Sequence, residues 1–326
     1  MKLAFNHDNL TFRGTTTAVF DYAYYNEKLL NNESIICYNK SILSAGYGDE
    51  NFNKKLDVLN LFKSNFDTIE YCNNEELILK LNKRNCNTVY SIKAGFNDGN
   101  IIAGKKNLVH ATFNFYQPHG DVYAYVSEWL SGAASNNVCP VVPHIVDIKG
   151  SINTDIRETL NIAKNKLVFG RYGGFDQFDI DFVYEMINFI VSFDSNVIFL
   201  FVNTRKFIDH PNVIFLPSIL TKQEKINFIS GCDAMLHARS DGESFGLSIC
   251  EFLSLNKPVI SFGGGRDKNN VSLLNKFGMI YNNQYELLEC IMKVKYRLYG
   301  NSISSIVDKF SAETVMEQFD KVFLQY

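Results

Sequence analysis

The chain has 326 residues, 32 Lys plus Arg against 35 Asp plus Glu, a formal net charge of -3 and 46% hydrophobic residues. Such a length suggests two domains of roughly 100–200 residues, the apolar fraction argues against disorder, and a near-neutral balance without a basic block leaves no footprint for nucleic acid. The longest apolar runs, such as VIFLFV at 197–202, fall short of the ~20 residues of a membrane span, and MKLAFNHDNL lacks the apolar stretch of ~7–15 residues found in a secretion signal, so a soluble, cytoplasmic protein is expected. In chain order the first half reads as strand LAF, a helix from about Thr15 to Leu30, strand SIICY, a helix around 52–63, strand TIEYC, a helix from Glu75 to Leu81, and strands NTVYSI, LVHATF and VYAYVS. The second half repeats the scheme: helix 154–164, strand KLVFGR, helix 179–192, strands NVIFLFV and NVIFL, helix 222–230, strand AMLHA, helix 246–255, strand PVISF, a helix after 268 and closing helices. Short apolar runs alternating with helical stretches imply βαβ units and parallel sheets, hence an α/β chain of two doubly wound domains.

The boundary is expected in VCPVVPHIVDIKGSIN, residues 138–153, where Pro140 and Pro143 interrupt the periodicity and Gly150-Ser151 precede a new helix start. The expected division is a first domain of residues 1–147, a second of 148–305, and a C-terminal helix of about 306–326 that returns to the first. Seven cysteines are dispersed and never spaced as CxxC, which supports neither a disulfide framework nor a zinc site; most are expected to be small core residues. The chain has 36 Asn but only 8 Arg. Guanidinium binds phosphate in a bidentate way that ammonium cannot, so Arg13, Arg171, Arg239 and Arg266, all in glycine-containing loops, are candidate anion ligands.

In open parallel sheets ligands bind outside the carboxyl ends of the strands. Four loops meet that description: NHDNLTFRGTT, GRYGGFD at 170–176, HARSDGESFGLSICEF at 237–252 and SFGGGRD at 261–267. In SDGESFGLSICEF a helix starting near Gly246 directs free N–H groups and its positive dipole end at the crevice, which suits a diphosphate. Glu251, under two turns on, is placed to take a hydroxyl pair, and Glu243 lies in the loop ahead, because carboxylates accept hydrogen bonds from neighbouring hydroxyls.

The stretch from LPSILTKQEKINF through SDGESFGLSICEFLSLNKPVISFGGG resembles the donor half of the retaining GT-B glycosyltransferases of family four, whose pattern is E-x-F-G-x-x-x-x-E, a short helix and a Pro-Val strand ending in glycines. VFGRYGGFDQFD resembles the first strand and loop of that family's second domain, and YAYVSEWL with PVVPHIVD the end of its first. The resemblance covers most of residues 120–290, and 1–119 in outline. It implies a GT-B fold, two Rossmann-like domains facing a cleft, with Glu251 holding the nucleotide ribose and Glu243 facing the donor sugar. It further implies backbone amides of Ser244, Phe245, Gly246 and Leu247 at sugar and diphosphate, Arg171 on the diphosphate, the base against the backbone near Leu216, and Gly14 with its neighbour Arg13 approaching from the first domain. A first-domain histidine of the family touches the donor sugar, and His119 in QPHGD is the candidate here, with His110 read as structural.

Two departures stand out. The family's lysine, about five residues after the arginine, is missing from GRYGGFDQFD, and a single Gly14 stands where two adjacent glycines are common. Arg13, Arg239 or Arg266 are then candidates to supply the missing charge. Asp179-Ile180-Asp181 spells DxD but falls at an expected helix start, where an acidic N-cap accounts for it; no His pair has zinc spacing, and the triple glycine at 263–265 is not a dinucleotide fingerprint. The implied activity is transfer of a sugar, with retention and without metal or cofactor, from a UDP- or GDP-sugar to a hydroxyl of a glycan or other small acceptor. The alternatives are a nucleotide-sugar or glycan binding protein with a degenerate site, or a nucleotide-sugar epimerase.

Overall fold

The main apolar runs read in the sequence become parallel strands, and helices lie between most of them. The computed structural model describes residues 1–7, 14–41, 50–274, 279–299 and 304–325. These divide into two compact units: Met1–Ile145 with Phe310–Tyr326, and Val146–Lys309.

The first unit holds β1 (Lys2–Asn6), β2 (Glu33–Asn39), β3 (Asp67–Tyr71), β4 (Thr88–Lys93), β5 (Lys106–Ala111) and β6 (Val122–Tyr125), in the order β3-β2-β1-β4-β5-β6. All pairings are parallel, with Phe5 beside Ile36 on one side and Tyr90 on the other. The order reverses between β1 and β4, so their carboxyl ends splay apart and leave a crevice. Helices Gly14–Lys28, Glu50–Asn65 and Asn74–Lys83 connect the first four strands; the last is capped by the Asn73 side chain, which accepts from Glu76 N.

A buried polar layer ties the C-terminal helix Ala312–Phe319 to this sheet. His110 bonds the Tyr90 hydroxyl at 2.7 Å and the Val142 carbonyl at 2.7 Å. Because a carbonyl only accepts, His110 carries its proton on Nε2 and takes the Tyr90 O–H on Nδ1. Tyr22 donates to the Pro143 carbonyl beside His144, and its ring stacks on Phe319. Burial lowers His110 to about 4, and burial with the nearby His110 also lowers His144, so both imidazoles are neutral core groups.

The second unit holds β7 (Leu167–Tyr172), β8 (Val197–Val202), β9 (Val213–Leu216), β10 (Ala234–His237), β12 (Val259–Phe262) and β14 (Ile280–Tyr281), in the parallel order β14-β12-β10-β7-β8-β9. A separate two-stranded pair is formed by β11 (Gly242–Glu243) and β13 (Asp267–Lys268). All six residues of β8 are buried, the pattern of a strand covered on both faces. Helix Asp181–Phe193 buries Val183, Ile187 and Ile190 on one stripe, packed with Phe199, Phe201 and Leu236. Here the order reverses between β7 and β10.

Three local expectations are corrected. The helix expected over 154–164 is only Ile156–Thr159, capped by Asp155, because Leu160 and the left-handed Asn161 turn the chain toward β7. Asp179 is not an N-cap: helix Asp181–Phe193 starts after Ile180 without a side-chain cap, and the Asp179 carboxylate instead accepts from Ser240 N at 2.8 Å and from the Ser240 hydroxyl. The third is a boundary: the first helix opens at Gly14, one residue before the expected Thr15.

Candidate active site

The carboxyl ends of β7 and β10 lie at the reversal of the second sheet and carry most of the residues singled out in the sequence. His237 ends β10, and the loop after it turns at Gly242, whose φ of +74° belongs to the left-handed region. A side chain there would also meet the Asp267 carbonyl, 1.9 Å from an added Cβ. This close approach lets Gly242 and Glu243 pair with Asp267 and Lys268, so the third and fourth glycine-rich loops are joined by backbone hydrogen bonding. Asn269 adds a bond from its amide to the Phe245 carbonyl at 2.6 Å.

Glu243 is held at the end of a relay. Asn270 Nδ2 donates to Ser261 Oγ at 2.8 Å, Ser261 Oγ lies 2.9 Å from His237 Nδ1, and His237 Nε2 lies 3.0 Å from Glu243 Oε1. The assignment that satisfies the chain has the Ser261 hydroxyl donating to an unprotonated Nδ1 and leaves Nε2–H to donate to the carboxylate. Arg239 Nη1 donates to the other oxygen at 3.2 Å. Burial pushes the Glu243 carboxyl up, but the His237 hydrogen bond and the Arg239 charge outweigh it and bring it below its ordinary value. An ionised, aimed carboxylate results.

Gly246 follows with φ +88° and forms the N-cap of helix Leu247–Ser254; its left-handed backbone turns the chain so that the helix starts directly after the Glu243 loop. Phe245 is buried as the anchor of this turn, with Ser244 and Leu247 partly buried on either side. Glu251 lies one turn into the helix, buried, with Lys225 Nζ 2.7 Å from Oε1 and the Tyr172 hydroxyl donating to Oε2. Lys225 comes from helix Lys222–Gly231, which is set by a capping box between Thr221 and Glu224.

Arg171, near the end of β7, is buried. Its guanidinium donates to Thr204 Oγ1 at 2.5 Å, the Gly174 carbonyl at 2.8 Å and the Asn203 carbonyl at 3.3 Å, and lies over the Phe178 ring. Burial lowers it to about 10, against the favourable field of Glu243, so it stays charged at neutral pH. Leu216 ends β9, where its carbonyl accepts from Asn203 N at 3.1 Å. Arg171, Arg239 and Glu243 form one electrostatic group, while Arg266 is exposed and paired with Asp267.

Gly14 and His119 belong to the other unit; Arg13 lies outside the described residues. His119 Nδ1 donates to the Gln117 carbonyl at 2.8 Å, and its Nε2 is buried without a hydrogen-bond partner among the described residues. His237, Lys225 and Tyr172 escaped the sequence reading. Position offered a signal for two of them, as strand-end residues beside the named loops; Lys225 had none, since its partner is 26 residues away. Six of the seven cysteines are buried and all are unbridged, with Cys72 exposed. Among the described residues no group of three or more His, Cys, Asp or Glu side chains could hold a metal ion, and no helix is long and apolar enough to cross a membrane.

No protein-family model matches the sequence, and no curated protein matches it. Solved structures match in fold. Anabaena Alr3699/HepE, in a complex with UDP and glucose, is 13% identical with a TM-score of 0.72 over 100% of both chains. A glycosyltransferase from Rickettsia africae is 14% identical with a TM-score of 0.69 over 100% of this chain and 99% of its own. A putative UDP-N-acetylglucosamine 2-epimerase from Listeria monocytogenes is 11% identical with a TM-score of 0.58, over 100% and 97%. Two α/β units, each with a parallel six-stranded sheet, make up the GT-B fold, and that is the fold of this protein.

Proposed function

We propose that the protein is a nucleotide-sugar-dependent glycosyltransferase whose donor is held by the second unit. The observation that carries this reading is the cluster at the reversal of the second sheet: a helix N-terminus behind Gly246, the buried Arg171 and partly buried Arg239 guanidiniums, and an ionised, relay-held Glu243. Helix-end amides from Ser244 to Leu247, with Arg171 and Arg239, supply positive charge for a diphosphate leaving group. Glu243 orients sugar hydroxyls. Glu251 takes the ribose diol through the lone pairs left over from Lys225 and Tyr172, and the base rests near Leu216. In this reading Lys225 and Arg239 make up for the lysine missing after Arg171. The family resemblance adds retention, with the leaving phosphate taking the acceptor proton on the same face, and needs neither metal nor cofactor. HepE, bound to UDP and glucose, shares the fold.

The test is to incubate the protein with UDP-, GDP- and ADP-sugars, with and without EDTA, and to follow thermal shift and release of free nucleotide. Stabilisation by one donor, slow release that EDTA leaves unchanged, and a product of the donor's anomeric configuration are expected. Absence of binding to every donor overturns the reading. A second reading is favoured by the missing lysine and by the epimerase that shares the fold: donor binding without transfer points to a binding protein, and conversion of the sugar while still attached to the nucleotide points to an epimerase.

A further inference from the structure

Helices Asp181–Phe193 and Gln284–Lys295 both cover the second sheet, and each has its own buried stripe: Val183, Ile187 and Ile190 on one, Leu287, Ile291 and Val294 on the other. A covering helix is expected to be polar on its outer side. The outer side of this pair is apolar instead. Phe193 is 78% exposed, Tyr296 60%, Phe189 50% and Met292 37%. Phe189 and Phe193, one helical turn apart, have ring centroids 4.8 Å from each other. After the second helix the chain turns through Arg297 at φ +55°. Arg297 N bonds the Val294 carbonyl at 3.1 Å and Leu298 N the Lys293 carbonyl at 2.8 Å. This Schellman turn folds Leu298 back beside the last helical turn, yet leaves it 69% exposed.

The two strips form one patch. The helices end side by side, tied by Lys295 Nζ on Asp194 Oδ2 at 2.6 Å, and Lys295 also lies 6.0 Å from the centre of the Tyr296 ring. Phe193 immediately precedes Asp194, so the aromatic pair of the first helix borders Tyr296 across this bridge. At ~150–250 Å² per aromatic side chain, the exposures of the five residues leave on the order of 600 Å² of apolar surface in water. That reaches the upper limit of the ~300–600 Å² found for the largest patch of a typical monomer. Doubled about a two-fold axis it becomes on the order of 1,200 Å², the threshold of the ~1,200–2,000 Å² buried in stable protein–protein interfaces. The lysines at its edge are compensated within the protomer, Lys295 by Asp194 and Lys293 by Glu289 at 2.9 Å. The patch can therefore meet its own image without repulsion between them. The same pairing disfavours an anionic lipid surface, which calls for a basic helix face.

We propose that this face is the isologous interface of a homodimer. Helix Asp181–Phe193 of one copy lies against Gln284–Lys295 of the other, so that Phe189 and Phe193 meet Met292, Tyr296 and Leu298 about a two-fold axis. Phe193 and Asp194 lead into the amino end of β8, the end of the sheet opposite the donor cluster, so the interface is independent of the transferase reading. Because dimerisation follows mass action, the test is sedimentation velocity of the full chain from about 1 to 100 µM. A species of twice the chain mass is expected at the upper concentrations. Phe193→Glu and Leu298→Glu, which place a carboxylate in the apolar contact, each weaken it by about tenfold or more. The double variant Phe193→Glu, Tyr296→Glu is a monomer with unchanged circular dichroism. Leu79→Glu, at an exposed leucine of the first unit, leaves the dimer intact. A wild-type monomer throughout, a dimer that survives both single substitutions, equal weakening by Leu79→Glu, or growth beyond two copies overturns the proposal. So does flotation of a monomeric chain with vesicles of phosphatidylcholine and phosphatidylserine that Phe193→Glu abolishes.

Discussion

The two sheets of this protein reverse strand order in the same way, yet the two reversal points are furnished differently. At β1/β4 the pair of Lys93 with Asp98 balances itself beyond the end of β4, and the buried polar layer of this unit is neutral, made of His110, His144, Tyr22 and Tyr90. At β7/β10 the groups are ions, with Arg171 and Glu251 buried and their neighbours Arg239, Glu243 and Lys225 partly buried: Arg239 pairs with Glu243 and Lys225 with Glu251. Buried ion pairs are weak contributors to stability compared with apolar packing. Their concentration at one reversal point and not the other is therefore better explained by a charged ligand there than by folding.

That contrast can be broken by experiment, and the largest effect is expected at Glu251. Glu251→Ala strands the Lys225 ammonium in a buried site, which costs about 3–5 kcal/mol of stability, seen as a lower urea midpoint, and abolishes UDP binding. The double variant Lys225→Met, Glu251→Met regains stability but not binding. A single variant with the parental midpoint and UDP affinity shows that the pair does neither job. Next is acid. His110 titrates at about 4 in the folded protein against 6.5 when unfolded, so between those values the unfolded chain binds more protons. Stability is fully present above pH 6.5 and is lost as pH falls toward 4, by roughly 3 kcal/mol from His110 alone. Unfolding followed by tyrosine fluorescence from pH 7 to 4 checks this, and a His110→Gln variant flattens that slope; an unchanged slope refutes the neutral-core assignment.

A smaller effect is expected at His237, which positions Glu243 without touching a ligand in the proposed scheme. His237→Ala removes one hydrogen bond to a buried carboxylate, about 1.5–3 kcal/mol. In a transfer assay this appears as a fall in kcat of about ten- to a hundredfold with donor KM little changed, and His237→Gln restores part of it. Equal losses in kcat and stability, without rescue, mean that the histidine is only structural. The smallest effect belongs to Gly246→Ala, which places a side chain at φ +88° with its nearest neighbours at ordinary contact, 3.4 Å away. A cost of about 1–2 kcal/mol is expected from the backbone alone, read as a shift of a few degrees in Tm.

The sheets were readable in the sequence because parallel strands covered on both faces are continuous apolar runs, as in VIFLFV and LVFGRY. The glycine-rich loop ahead of Leu247 was readable too, since glycine adopts positive φ at the least cost, as at Gly242 and Gly246. Elements set by marginal local signals were misread. Asp179 looks like a cap, but its carboxylate is claimed by Ser240, 61 residues on, and the stretch after Asp155 has helical composition, but the left-handed Asn161 ends its helix after one turn. His237 drew no role from the sequence, because its partner Ser261 meets it only once β10 and β12 are side by side.

Taken alone, then, the sequence determined the alternation of strands and helices, the glycine turns and much of the local capping. Even its excess of asparagine found a use: seven of the eight non-glycine residues with positive φ among those described are Asn, the residue that tolerates the left-handed region best after glycine. The tertiary structure alone decided which distant charges neutralise each other. Lys225 meets Glu251, 26 residues on, and Arg157 meets Asp233, 76 residues on, through the placing of whole elements. The physical reason is range: burial periodicity and backbone sterics act within a few residues, whereas an ion pair or a cavity forms only where strand order brings distant loop ends together.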